Sequence, residues 1–186
     1  MKLLAPLALM TVGTVCALTL QEAPEQQPQL DEHRWLQQLV GDWELTIEAS
    51  MAPGAPTTTW HSTESTRARG EFWIVTEGNA DFGGQAFQSL QTVGYDPKQD
   101  AFVGSWIDTI QAMMWTYEGS LDESGRVLTL AADGPGMTDP SKTSKYEDRI
   151  ELVGPDHKRL TSAVQGDDGE WITFMTAEAK RVKKDR

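Results

Sequence analysis

From residue 42 onward, polar and apolar residues alternate along short runs that turn residues interrupt. The run DWELTIEA puts Trp43, Leu45 and Ile47 on one side and Glu44, Thr46 and Glu48 on the other. A period of two is the signature of a strand with one buried face. Further runs are TTTWHSTESTR, EFWIVTE, QAFQSLQTVGY, AFVGSWIDT, QAMMWTYEG, RVLTLAA, KYEDRIELV, RLTSAV and EWITFMTAEAKRV. Between them lie MAPGAP, NADFGG, DPKQD, LDESG, DGPGMTDPSKTS, GPDH and GDDG, all rich in residues that favour turns. The pattern predicts about ten strands. None of the intervals is long enough for a crossover helix, so the sheet should be antiparallel and connected in sequence. Ten such strands must curl into a barrel or split into a sandwich.

One helix precedes them. Asp31 is placed as its N-cap, and Trp35, Leu36, Leu39 and Val40 form one apolar stripe that Gly41 ends. Trp43 stands two residues beyond that glycine. In an up-and-down barrel the helix would plug one end, Gly41 would let the chain turn sharply, and Trp43 would seal the interior. A cation from the closing strand, Arg181 or Lys180, is placed to stack on the indole. Gly41, Trp43 and Arg181 therefore form the expected structural plug; a Trp43 that merely fills the core would be scaffold all the same.

The stretch MKLLAPLALMTVGTVCALTL carries Lys2 and then no charge until Glu22. That is the pattern of a secretory signal peptide and is too short for a stable membrane span. We expect residues 1–19 to be the signal peptide, 20–30 a Gln- and Pro-rich flexible linker, and 31–183 the barrel domain. The mature chain would be secreted or periplasmic, with no integral membrane segment. A lipid anchor at Cys16 would need a small residue just before it and an aliphatic one three before, where Val15 and Gly13 stand. Export without a lipid anchor is expected. Cys16 is the one cysteine, so the core must stand without disulfides.

Charge narrows the partners. Sixteen Lys and Arg oppose 28 Asp and Glu, for a net charge of −12, which repels phosphate backbones and excludes nucleic acid. The basic tail KRVKKDR reads as the solvated end of a strand.

Recognisable chemistry is sparse. His33, His61 and His157 share no metal-ligand spacing, so no metal is expected, and His33 and His157 read as solvated surface residues. There is no G-x-S-x-G elbow, Walker loop or dinucleotide fingerprint, so no catalytic residue is assigned. The strand carboxylates Glu77, Asp108, Asp148 and Glu178 are more informative. Asp108 shares parity with Phe102, Gly104 and Trp106; Asp148 shares it with Tyr146, Ile150 and Leu152. An inward carboxylate in a barrel lines a cavity or pairs with a cation such as Arg149 or Arg69. The expected ligand site has Trp73, Trp106 and Trp115 as its wall and Asp108 and Asp148 as polar groups, with Met113 and Met114 adding adaptable apolar surface. The alternative is that both carboxylates are salt-bridged or lie on the surface.

GDWE behind a short helix resembles the Gly-x-Trp opening of lipocalins and related calycin barrels. A wider set of segments, HRWLQQLVGDWELT, FWIVTEGNADFGGQAF, TVGYDPKQDAFVGSWIDT, YEGSLDESGRVLTL and FMTAEAKRV, resembles the bacterial domain-of-unknown-function family 1579 over residues 31–183. The resemblance implies an all-β, up-and-down barrel like that of lipocalins and fatty-acid-binding proteins. It implies frequent export and no established activity. It also implies an acidic residue at Asp108, with a Glu and an Arg at Glu178 and Arg181. The barrel is also similar to nitrobindins, which hold haem through a late-strand histidine; residues 170–181 contain none, so no haem or other cofactor is expected.

Together these features favour an exported barrel that binds a small, mostly apolar molecule. Two other functions stay open: a solidly packed envelope interaction module, and a barrel enzyme using Asp108 or Asp148 with a tyrosine. The oligomeric state is not legible. The mature chain is expected to begin between residues 17 and 24, outside the cytoplasm. N-terminal sequencing of exported material that finds Met1 intact would refute the leader.

Overall fold

The computed structural model describes residues 27–50 and 55–183. The leader, its cleavage sites and Cys16 lie outside the described residues. Helix α1, Asp31–Gln37, leads into β1, Gly41–Ala49, and β2, Thr58–Arg69. Then come β3, Trp73–Asp81, β4, Ala86–Asp96, β5, Ala101–Asp108, and β6, Trp115–Leu121. The chain ends in β7, Val127–Pro135, β8, Thr143–Gly154, β9, His157–Gln165, and β10, Trp171–Arg181. Every strand pairs antiparallel with the next, and β1 also pairs with β10. The result is a closed ten-stranded barrel, so the sandwich is ruled out and no strand edge remains to be protected.

Two elements differ from the sequence pattern. β6 starts at Trp115, so Met113 and Met114 belong to the loop before it. β7 and β8 run further than expected, pairing as far as Pro135 with Thr143, which shortens the loop between them to 136–142.

The helix lies across the end where β1 begins, the closed end. Asp31 is its first helical residue and Leu30 occupies the N-cap; Asp31 instead accepts a hydrogen bond from Arg34 Nε at 3.1 Å. His33 is buried, at 3% exposure, against the expectation of a solvated surface residue. It lies one turn before Leu36 on the face turned to the barrel, packed edge-on against Phe72 and Tyr95. Its Nδ1 accepts from the Leu30 N–H at 3.0 Å, which leaves the proton on Nε2 to donate to the Tyr95 carbonyl at 3.1 Å. Trp35 Nε1 donates to the Gly125 carbonyl at 2.8 Å, so the plug is fixed to the end of β4 and to the β6–β7 turn.

The seal is built where the barrel closes. Trp43 of β1 is paired in register with Arg181 of β10. Trp43 is 1% exposed, and its Nε1 donates to the Leu39 carbonyl at 2.9 Å. The Arg181 guanidinium lies 4.1 Å from the ring centroid and donates to the carbonyls of Val40, Gln38 and Pro155. Lys180, the other sequence candidate, points outward. Gly41 has a φ of +150°, and a Cβ there would lie 2.3 Å from Arg181 Nη1. The glycine is needed because the guanidinium occupies the space a side chain would fill.

Packing divides the interior in two. Ile74, Val93, Phe102, Leu128 and Leu130 form the main core with the helix residues Trp35, Leu36 and Leu39. Trp43, Leu45, Ala177 and Ala179 form a second cluster. An ion pair inside the barrel adjoins the second cluster: Lys158 Nζ lies 2.6 Å from Glu64 Oε2 and 4.8 Å from the Trp43 ring centroid. The side chains are 4% and 13% exposed. Losing one partner would strand a charge away from water.

Trp43→Ala is expected to cost about 3–5 kcal/mol, the range for emptying a large aromatic site. Arg181→Ala should cost less, and the double mutant should show non-additivity because the side chains touch. Urea melts of the four proteins measure this; strict additivity would remove the stacking from the account.

Candidate functional site

Strand alternation decides which polar residues enter the barrel. On β5, Phe102, Gly104, Trp106 and Asp108 share the inner face, and on β8 Tyr146, Asp148, Ile150 and Leu152 do so. Glu77 and Glu178 fall on the opposite parity and point outward. Glu178 accepts from Arg159 at 2.7 Å and bonds His157, and these contacts hold its carboxyl below the usual carboxylate range. His61 is outward as well, its ring 3.4 Å from the Thr46 hydroxyl.

Trp73 was expected in the lumen wall and is not there. It precedes the inward Ile74, so it points outward, is 41% exposed and lies flat over Gly94 of β4. The run EFWIVTE is apolar on both faces, which hid its parity.

Asp148 stands at the centre of the inward polar groups. It accepts hydrogen bonds from the Tyr117 hydroxyl at 2.6 Å and the Ser162 hydroxyl at 2.5 Å. Burial raises its pKa above the ordinary 3.8, against the opposing pull of those two donors. Tyr117 is pushed up too, first by burial and then by the charge and hydrogen bond of Asp148, while the Gln91 side chain opposes the shift. A phenol so placed stays protonated and donates. The cluster is therefore a hydrogen-bonded acid that can accept one further bond.

Asp108 is inward but engaged by its own segment. Oδ1 accepts from the N–H groups of Ile110 and Gln111 at 2.7 and 2.8 Å, and Oδ2 lies 3.2 Å from Trp106 Nε1. It orders the loop 109–114 and orients the indole. Trp115 packs edge-on against Tyr146 at 4.9 Å, and its ring fills the space over Gly134, where a Cβ would lie 2.1 Å from the indole. Tyr146 in turn donates to the Pro135 carbonyl at 2.6 Å. The paired β7–β8 extension and its glycine are what hold this aromatic pair at the mouth.

Inward direction and access then combine. Near the closed end the inner side chains are sealed, with Val93, Leu128 and Leu130 inaccessible. Toward the open end Ser62, Gln91, Trp106, Trp115, Asp148 and Met175 also point inward yet are only half-buried. Solvent reaches these inward side chains from the open end. A second space, a groove of about 730 Å³, is lined by Glu44, Leu45, Thr46, His61, Asn79, Ala80 and Lys180.

The sequence pattern missed the Glu64–Lys158 pair, Tyr117 and Gln91. A signal existed in the parity of Lys158 with Leu160 and Val164, an apolar inner face that a lysine should not share unless paired. Among the described residues no three His, Cys, Asp or Glu cluster as metal ligands would, and no helix is long and apolar enough to cross a membrane.

No curated protein sequence matches the chain. Among solved structures it is similar to the S-type phycobiliprotein lyase CPES from Guillardia theta, at 13% identity and a TM-score of 0.57, covering 86% of this chain and 100% of that one. A redesigned β-barrel, b11L5F_LGL, matches at 11% identity and a TM-score of 0.45 over 81% of this chain and 96% of its own. EF1p2_mFAP2b bound to DFHBI matches at 12% identity and a TM-score of 0.45 over 81% and 99%. At these identities the likeness to the lyase shows the fold alone. The family model described as "Protein of unknown function (DUF1579)" covers residues 27–181, which include the plug helix and all ten strands: the chain belongs to that family.

Proposed function

We propose that the protein is exported and binds one small, mostly apolar molecule in the open half of the barrel. Trp106 and Trp115 form the wall and Asp148 is the polar anchor. The observation that carries this is the set of inward side chains that solvent reaches above a sealed floor. Apolar contact with the indoles and Met175 supplies affinity, and a fixed polar group orients the ligand. A carboxyl already held by two hydroxyl donors selects a ligand with a hydrogen-bond donor of its own.

The placement of Asp148 is costly to the fold, as ligand-binding groups commonly are. Its folded pKa is raised, so the folded state keeps the proton to higher pH than the unfolded chain does. Ionisation on going from acid to neutral pH then weakens the fold. Asp148→Asn should melt higher than the parent at neutral pH, and this gain should shrink in acid, where the aspartate is protonated in both states. Melting curves across that pH window check the sign; a gain that grows in acid would contradict it.

Binding is tested with N-phenyl-1-naphthylamine, an apolar probe with one N–H donor. It should quench or shift tryptophan emission, and Asp148→Asn should weaken it about tenfold, the loss of one hydrogen bond to a charged acceptor. If neither this probe nor native extracts perturb the emission of folded protein, the lumen binds nothing and the packed interaction module takes its place.

A further inference from the structure

Among the described residues, one buried side-chain donor at the mouth of the barrel has no hydrogen-bond partner. Trp60 of β2 is paired in register with Ile47 and shares the inner face with Ser62 and Glu64. Its Nε1 is buried, and among the described residues it is the buried side-chain polar atom without a hydrogen-bond partner. A buried indole N–H is a donor that folding has removed from water without replacement. The other inward indole groups near the helix and mouth do not share this state: Trp43 donates to Leu39, Trp35 to Gly125, and Trp106 to Asp108.

What covers Trp60 is the tip of the β3–β4 hairpin. Phe82 packs edge-on against Trp60 at 4.9 Å and against the inward Phe87 at 5.3 Å. The tip turns through Gly83 and Gly84, both with positive φ, and is closed by a Phe82 N–H to Gln85 carbonyl bond of 2.9 Å and a Gly84 N–H to Asp81 bond of 2.6 Å. Beyond those turn bonds, the ring contacts are what hold Phe82 inward. Two consecutive glycines lower the barrier to swinging the phenyl ring away.

We propose that Trp60 is a ligand-recognising donor, screened by Phe82 as a gate, and that the ligand presents a neutral carbonyl-type oxygen at the mouth. This rests on the lumen-binding function above and adds to it a second polar contact besides Asp148. The acceptor is neutral because the chain carries a net charge of −12, which disfavours an anion. Opening the gate gives the indole N–H the partner it lacks in the closed form, so an acceptor-bearing ligand gains a bond that an acceptor-free one does not.

The test compares two naphthalene probes. Prodan carries a ketone, and its emission moves to longer wavelength when that ketone accepts a hydrogen bond; N-phenyl-1-naphthylamine has no such acceptor. Trp60→Phe keeps the ring and removes the donor. It should weaken Prodan about three- to tenfold and shift its bound emission to the blue, the scale of one neutral hydrogen bond, while leaving N-phenyl-1-naphthylamine within about twofold. Phe82→Ala should speed Prodan association. Equal effects of Trp60→Phe on both probes, or none on either, overturn the donor role while leaving lumen binding intact. Unchanged association in Phe82→Ala overturns the gate. If wild-type protein binds neither probe, both the donor role and lumen binding fall. Should Trp60→Phe not fold, Prodan bound to wild type decides: an emission typical of aprotic surroundings overturns the proposal.

Discussion

The contact between Trp43 and Arg181 holds the seam on which the barrel depends. A sheet becomes a barrel only when its first and last strands pair, and that pairing forms last in sequence, across almost the whole chain. Arg181 does more than pair. Its guanidinium covers the indole and bonds carbonyls of the helix–strand connection and of the β8–β9 turn, tying first strand, last strand and plug into one unit. Gly41 and Trp43 are the residues this arrangement demands, one for absence of a side chain and the other for a flat polarisable face.

With one end sealed, the interior acquires a direction. Apolar side chains fill it beside the plug, the buried Glu64–Lys158 pair satisfies itself, and the Asp148–Tyr117–Ser162 group follows where packing loosens. Polar atoms inside a barrel persist only where partners satisfy them or where solvent or a ligand reaches them. The first case describes Glu64 and Lys158. It describes Asp148 as well, held by the Tyr117 and Ser162 hydroxyls, whereas among the described residues Trp60 Nε1 has no partner.

The family assignment and the fold agree without identifying a ligand. A barrel of this kind is a wall of alternating residues, one half facing the lumen and the other the outside. Here the inward half includes Gly78, against the Ser89 hydroxyl, Gly104, against the Thr92 backbone, and Gly134, under the Trp115 ring. The Trp115 ring over Gly134 shows how the pairing makes the mouth: remove either and the other has no reason to be what it is.

Strand number, order and antiparallel sense were legible because period-two alternation and turn residues are local properties, and so was the inward parity of Asp108 and Asp148. The plug was legible because helix, glycine and tryptophan are adjacent in sequence. Parity failed where a strand is apolar on both faces, as at Trp73, since nothing local then separates inside from outside. It failed again at His33, whose burial follows from where the helix lies and not from its own neighbours. Partnerships between distant strands were beyond local pattern: Lys158 with Glu64, Tyr117 with Asp148, Phe82 over Trp60. The sequence by itself determined which residues alternate and where the chain turns. Only closure of the barrel decided which inward residues meet, because the shear between strands brings together residues that no sequence spacing relates.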